Sequence, residues 1–289
     1  MAGLEAKQCV TDEWQTWWSG QMVERSGRGK GKRPLLGNHQ RCWIWGRRVV
    51  SETLLAGRWI PWELRLSDGL PEDEITASRQ LAVQQNVPVL VETAAQLTRL
   101  CRSSEHQGYL AKMPPFPYDD AEKLLATLPA QPFCAILDAV QDPYNFGAIL
   151  RSADALGVDA VFVGSGQQSP VTSLVARTSA GAVNHVHLAE ARDLSHLCGR
   201  LIARGLSLVA ATEKAKLTIS QCDFRGAVAC VIGNEGAGIR RELLALCEQH
   251  AAIPQVGHVS SLNAAVSASI LFYEVQRQRS GSQTSKGNE

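Results

Sequence analysis

The sequence predicts an α/β protein: a parallel-sheet domain in the second half of the chain, preceded by a smaller α/β unit. Three observations predict it. After residue 132 come six nearly continuous apolar runs: "FCAILDAV", "DAVFVGS", "HVHLAE", "LSLVAAT", "AVACVIG" and "AAIPQ". Apolar runs that do not alternate are how strands covered on both faces read. Helical segments fall between most of them, at 145–156, 171–179, 193–204 and 238–249, with a last helix over about 262–278. Strands alternating with helices imply a parallel sheet. Finally, polar and glycine-rich stretches follow several of the runs, where open parallel sheets hold their ligands.

The first half is read element by element. "IWGRRVVSETLLAG" has helical apolar spacing and stops at Gly57, a suitable cap. "WELRLS" reads as a strand, "ITASRQLAVQQN" as a helix, "VPVLVE" as a strand, "AAQLTRLC" as a helix and "HQGYLAKMP" as a last strand. Together they make a small alternating unit of roughly seventy residues. The proline-rich "MPPFPYDD" at 113–120 is no regular helix and reads as a connection. The expected organisation is a flexible basic extension over 1–40, the small unit over 41–118, a linker over 119–131, the parallel-sheet domain over 132–280 and a flexible tail over 281–289.

Composition narrows the class. The chain has 289 residues, 45% of them hydrophobic, enough for one large core or two modest domains. With 29 basic and 28 acidic residues the net charge is +1, so any contact with nucleic acid must come from local patches. No run of eighteen apolar residues suggests a membrane span. The opening "MAGLEAKQCVTDEWQTWWSG" lacks a basic start followed by an apolar stretch, so no secretory leader is expected. None of the eight cysteines forms a CxxC pair and several lie in apolar runs; they read as reduced core thiols of a cytoplasmic protein, with no metal site. Residues 24–38, "ERSGRGKGKRPLLGN", hold five basic residues among glycines and read as a solvated tail or as an arm for phosphate contacts. Trp14, Trp17 and Trp18 are unusual for such a tail; a short helix docking on a partner is one reading.

Four strand-exit stretches could carry chemistry. In "DPYNFGAILR", Asn145 can cap the following helix, Gly147 lets another group approach its first turn, and Arg151, six residues and nearly two turns on, could face the same side. In "IGNEGAGI", Gly233, Gly236 and Gly238 surround Glu235 directly after a strand, so backbone groups can face a ligand closely. In "IPQVGHVSSLN", Ser260 or Ser261 can cap the final helix. That helix places Leu262, Val266, Ile270 and Tyr273 on a predicted core face and the small Ala264, Ser267 and Ala268 opposite. The fourth stretch, "VFVGSGQQSP", is an imperfect G-x-G-x-x-G: Gly164 and Gly166 are in place, Ser169 stands where the third glycine belongs, and Glu190 could serve as the ribose-binding acid. A dinucleotide oxidoreductase built on it would leave "GNEGAG" and "SSLN" without a role.

Together, the first three stretches resemble the SPOUT superfamily, specifically its SpoU/TrmH branch of RNA ribose 2'-O-methyltransferases. "NFGAILR", "GNEGAG" and "IPQVGHVSSLN" match the three family motifs in order and spacing, and "RTSAGAVNHV" at 177–186 resembles the connecting segment. The resemblance covers about residues 133–278, and the unit opening with "IWGRRVVSETL" resembles the RNA-substrate-binding domain often found before this catalytic domain. It is nearest to enzymes that methylate a guanosine ribose of 23S, large-subunit ribosomal RNA. The resemblance implies a deep trefoil knot, a homodimer, S-adenosylmethionine as cofactor and RNA as partner, ribosomal RNA first and transfer RNA second. It implies cofactor contacts at Gly233, Ile253 and Leu262, with Thr212 at the preceding strand end, and catalytic or substrate-proximal roles for Asn145, Arg151, Glu235, Ser261 and Asn263. Arg151 would orient the ribose hydroxyl and its neighbouring phosphate, or also assist deprotonation; a guanidinium normally stays charged, so a literal base role needs a lowered pKa, and electrostatic positioning is the favoured role. The alternative is an RNA-binding or ribosome-assembly protein on a catalytically degenerate version of the fold; the intact Asn145, Arg151, Glu235 and Asn263 argue against it.

Overall fold

The structure, a computed structural model, describes residues 42–258 and 261–284. The basic arm, Trp14, Trp17, Trp18, Cys9 and Ser260 lie outside the described residues, as do the expectations for 1–40 and for the end of the tail.

Two sheets organise the described chain. The smaller has strands β1 (Trp43–Trp45), β2 (Glu63–Ser67), β3 (Val89–Glu92) and β4 (Tyr109–Lys112) in the order β1-β4-β2-β3. Helices α1 (Arg47–Ala56), α2 (Glu72–Gln84) and α3 (Ala94–Cys101) connect them. Gly57 closes α1 at φ 62°, a conformation that costs glycine nothing. Thr93 and Gln96 form a reciprocal capping box at the start of α3. Helical spacing alone takes "IW" into α1, but these residues belong to β1. Gly46, at φ 108°, breaks the chain between strand and helix, and Trp43 and Trp45 share one buried cluster with Leu97 and Leu110.

The larger sheet has eight strands: β5 (Asp119–Asp120), β6 (Phe133–Asp138), β7 (Ala160–Gly164), β8 (Leu188–Ala191), β9 (Ser207–Ala211), β10 (Leu217–Thr218), β11 (Val228–Gly233) and β12 (Gln249–Ala252). Their order is β10-β12-β9-β11-β6-β7-β8-β5 and every pairing is parallel. The connecting helices are α4 (Ala121–Thr127), α5 (Pro143–Ala155), α6 (Ser173–Thr178), α7 (Leu194–Ala203), α8 (Arg241–Leu246) and α9 (Ala264–Thr284). Successive residues of β6 enter opposite layers. Phe133, Ala135 and Leu137 meet the layer of Phe146, Ile149, Leu271 and Phe272, while Cys134 and Ile136 meet Leu194, Leu197 and Leu201. Both faces are covered, so the strand is apolar throughout.

Several expectations need correction. The stretch read as a linker, 119–131, adds β5 to the large sheet and buries Leu124, Leu125 and Leu128 from α4 and its end. The helix expected over 238–249 is only Arg241–Leu246, and the sixth strand begins at Gln249, not at "AAIPQ". On α9 most of the predicted core face is exchanged; of Leu262, Val266, Ile270 and Tyr273 only Ile270 packs, half-buried, against the core. Ala265, Ala268, Leu271, Phe272 and Val275 are buried, whereas Leu262 and Val266 are exposed and Tyr273 is 60% exposed.

The segment 177–186 docks the small sheet onto the large one. The Arg177 guanidinium lies 4.0 Å from the Trp45 ring centroid. Asn184 Nδ2 donates to Thr53 Oγ1 at 3.1 Å. Gly181, at φ 91°, is required twice over, since a Cβ there would sit 2.6 Å from the Glu52 Cβ. Among the described residues no helix is long and apolar enough to cross a membrane. The seven described cysteines are free thiols, and among the described residues no group of three or more His, Cys, Asp or Glu is placed to hold a metal ion.

Candidate functional site

The exits of β9, β11 and β12 open onto a cleft of ≈ 480 Å³, a size suited to a small ligand. Its walls come from Thr212 to Lys214, from the loop Gly233 to Ile239, from Ile253 and from Ser261 to Ala264. The glycine loop is tightly built. Asn234 and Gly238 exchange backbone hydrogen bonds at 3.0 Å each way, and Asn234 Oδ1 accepts from the N–H groups of Gly236 and Ala237, both at 2.9 Å. Gly233 has no room for a side chain: a Cβ would lie 2.3 Å from the Gly238 carbonyl carbon. The loop's own backbone, not a ligand, forces that glycine.

Beside the cleft, a directional chain of hydrogen bonds joins all three motifs. Asn263 Oδ1 accepts from the N–H groups of Ala265 and Val266, at 2.9 and 3.2 Å, which caps α9. Its amide nitrogen must therefore point outward, and it donates to Asn145 Oδ1 at 2.8 Å. That commits Asn145 Nδ2 as a donor, and it reaches Glu235 Oε1 at 2.8 Å. Each amide uses both ends, so neither can flip without setting like groups against each other. Asn145 is only 8% exposed, and a buried amide with both ends satisfied is costly to disturb, by about 1–3 kcal/mol for each group left unpaired.

Two capping assignments change. Asp142, with Pro143 in the first turn, caps α5 by accepting from the Tyr144 N–H at 3.0 Å, leaving Asn145 inside the first turn and free to reach Glu235. Asn263, not a serine, caps α9. Gly147 behaves as read: a Cβ would sit 2.9 Å from the Val175 carbonyl, so the group approaching α5 is the backbone of α6.

Of the nine residues singled out from the sequence, Thr212, Gly233, Glu235, Ile253, Ser261, Leu262 and Asn263 line the cleft, and Asn145 is bonded to two of them. Arg151 stands apart. It is exposed on α5, outside the cleft wall, and makes no ion pair with Glu235. The "GSGQQS" loop after β7 does not reach the cleft; its Gln168 instead accepts from the Val140 N–H at 3.0 Å. Sequence reasoning missed Asp138, Asn234 and Arg240, which anchor the glycine loop, and Glu213 and Lys214 on the cleft wall. The available signal was an aspartate ending an otherwise apolar strand. The buried thiols, none of which lines the cleft, are inert: burial pushes Cys134 and Cys198 up to about 12 and Cys230 higher still, so none is a thiolate at neutral pH.

The fold and site thus define a parallel α/β protein that holds a small ligand at converging strand exits. Comparison with known proteins gives that class a family. Residues 132–273 match the model of the SpoU rRNA methylase family. A Staphylococcus epidermidis protein assigned to the TrmH family of tRNA/rRNA methyltransferases is 35% identical over 244 residues, covering 82% of this chain and 95% of the relative. A Staphylococcus saprophyticus homologue with the same assignment is 33% identical over 239 residues, with the same coverage of both chains. Among solved structures, the SpoU methyltransferase AviRb of Streptomyces viridochromogenes, in complex with AdoMet, superposes with a TM-score of 0.71 at 25% identity, covering 85% of this chain and 96% of that one. An RNA 2'-O ribose methyltransferase superposes with a TM-score of 0.67 at 29% identity, covering 83% and 89%. The chain belongs to the SpoU/TrmH family of RNA methyltransferases.

Proposed function

We propose that the chain transfers a methyl group from S-adenosylmethionine to a ribose 2'-hydroxyl of RNA, ribosomal RNA first and transfer RNA second, with guanosine as the favoured nucleotide. The observation that carries this reading is the bonded chain Asn263–Asn145–Glu235 beside the cleft, which brings the three motifs to one place. The cleft suits the cofactor: apolar Ile253 and Leu262 stand near exposed loop backbone, with the carboxylates of Glu213 and Glu235 and the ammonium of Lys214 on the same wall. Thr212, Gly233, Ile253 and Leu262 would hold it. When bound, it supplies a methyl group on a positively charged sulfur. Glu235, held by Asn145, and Ser261 would border the reacting ribose. Arg151 would grip the RNA phosphate and orient the hydroxyl, an electrostatic and positional role.

The trefoil knot and the cytoplasmic location belong to the same proposal. So does a homodimer. The outward stripe of Val266 and Tyr273 on α9, with Tyr144 at the start of α5, is large, apolar and exposed at 46%, 60% and 60%, and a second copy is the occupant we assign to it. The unit over 41–118 would supply RNA grip, which salt should weaken. In the decisive experiment, Arg151→Ala abolishes methyl transfer while calorimetry shows S-adenosylmethionine binding nearly intact; full activity in that variant overturns the assignment. A map of 2'-O-methyl sites in total RNA with and without the protein names the substrate by the one site that disappears, and no loss favours a degenerate RNA-binding protein.

A further inference from the structure

Two of the holds on the glycine loop come from residues that belong to none of the three motifs, Asp138 and Ala139. Asp138, the last residue of β6, is 1% exposed, and both of its oxygens are engaged by one partner. Oδ2 accepts from the backbone N–H of Arg240 at 2.8 Å and Oδ1 accepts from its Nε at 2.7 Å. The next residue, Ala139, sits at φ 59°, a left-handed conformation that is strained for a residue with a side chain. Its carbonyl accepts from Asn234 Nδ2 at 2.8 Å. The chain then turns into α5, where Asn145 meets Glu235. The exit of β6 thus grips the loop at its start, its middle and its end, through Asn234, Glu235 and Arg240.

A loop with three glycines in six residues has many open conformations to lose, so its order must come from such bonds. We infer that Asp138 is a positioning residue: acting through Arg240, it clamps the Gly233–Arg240 loop in the shape that forms the cleft wall. The inferred effect on cofactor affinity rests on the methyltransferase reading; the effect on the loop does not.

The test is a cycle of three variants, Asp138→Asn, Arg240→Met and the pair together, each followed by hydrogen exchange at the Gly236 and Ala237 amides and by calorimetry with S-adenosylmethionine. In Asp138→Asn the new NH2 group faces a donor of Arg240, and in Arg240→Met the buried carboxylate keeps a single donor. Each single change should speed loop exchange and weaken binding by roughly tenfold, the size of one unpaired buried group. The core amides of β6 and β11 should not change. In the double variant the carbonyl of the introduced amide accepts the backbone N–H and no donor faces its NH2, so loop protection and affinity should recover above Asp138→Asn alone. Losses that simply add in the double variant, or loop exchange unchanged in Arg240→Met, overturn the inference. Arg240→Met alters a side chain that is mostly in solvent, so it keeps the test open if Asp138→Asn fails to fold. If the wild-type protein binds no S-adenosylmethionine, the functional reading fails while the exchange cycle still decides the clamp.

Discussion

Two glycine-bearing strand exits on the same parallel sheet have opposite fates. After β7, a Cβ added to Gly164 would meet only the Leu194 side chain, and one added to Gly166 would find nothing within 4 Å. After β11, Gly233 is pressed against its own loop, Gly238 turns at φ 70°, and every polar atom of the Asn234 side chain is used inside the loop or on Ala139. The difference lies in the neighbours. The β11 exit stands beside β9, with β12 beyond, and the start of α9 folds over it, so several loops converge. The β7 exit bonds to Val140 through Gln168 and lines no part of the cleft. Glycine at a strand end therefore marks a turn; convergence of several exits makes a site.

That contrast can be broken or sharpened by substitution, the largest effect first. Asn145→Asp keeps the shape but sets a carboxylate oxygen against Glu235, so turnover should fall by about a hundredfold or more, and the melting transition should drop by the equivalent of about 1–3 kcal/mol; near-normal turnover would show that the bonded chain does not matter. Gly233→Ala forces a backbone shift in the loop and should cost about 1–3 kcal/mol of stability together with measurable cofactor binding. Val266→Asp, on the exposed stripe of α9, should separate the proposed dimer in sedimentation without unfolding the subunit.

Alkaline pH probes the core layer that holds Cys134 and Cys198. Folded Cys134 and Cys198 keep their protons up to about 12, against an ordinary 9.0, while the unfolded chain releases them. Their contribution is thus complete below pH 9 and is lost as pH rises from there toward 12. Denaturant midpoints should fall over that window and stay level on this account between about pH 7 and 8. The smallest effect is the control: Gly166→Ala meets open space and should stay within about ±0.5 kcal/mol of wild type, with activity unchanged.

Much of this is legible in the residues. The runs "FCAILD", "AVFVG" and "VACVIG" announce buried parallel strands, because a strand covered on both faces has no polar side to show. The three motifs point to one site, and eight of the nine residues singled out, Thr212 from a preceding strand end among them, meet at the cleft or bond to its wall. Arg151 is the exception: it is expected on the side of Asn145, but six residues amount to about 240° around a helix, and it lies on the exposed flank of α5. The segment 119–131 reads as a linker because two strand residues and a seven-residue helix carry too little periodicity to stand out beside a proline-rich stretch.

What the sequence determined by itself is the set of elements and the chemistry available at their ends, since both depend on local spacing and residue type. What only the tertiary structure decided is direction. On α9 the spacing allows two stripes, one of Leu262, Val266 and Tyr273 and one of Ala265, Ala268, Leu271 and Phe272, and larger side chains favour the first as core. The structure buries the second, because α9 packs closely on α5, where Ser152 and Ser269 lie 2.7 Å apart, and small residues permit that approach. Likewise, which way Asn145 and Asn263 turn their amides depends on α9 starting where it does, with its first N–H groups taking the Asn263 oxygen and passing a fixed polarity through to Glu235.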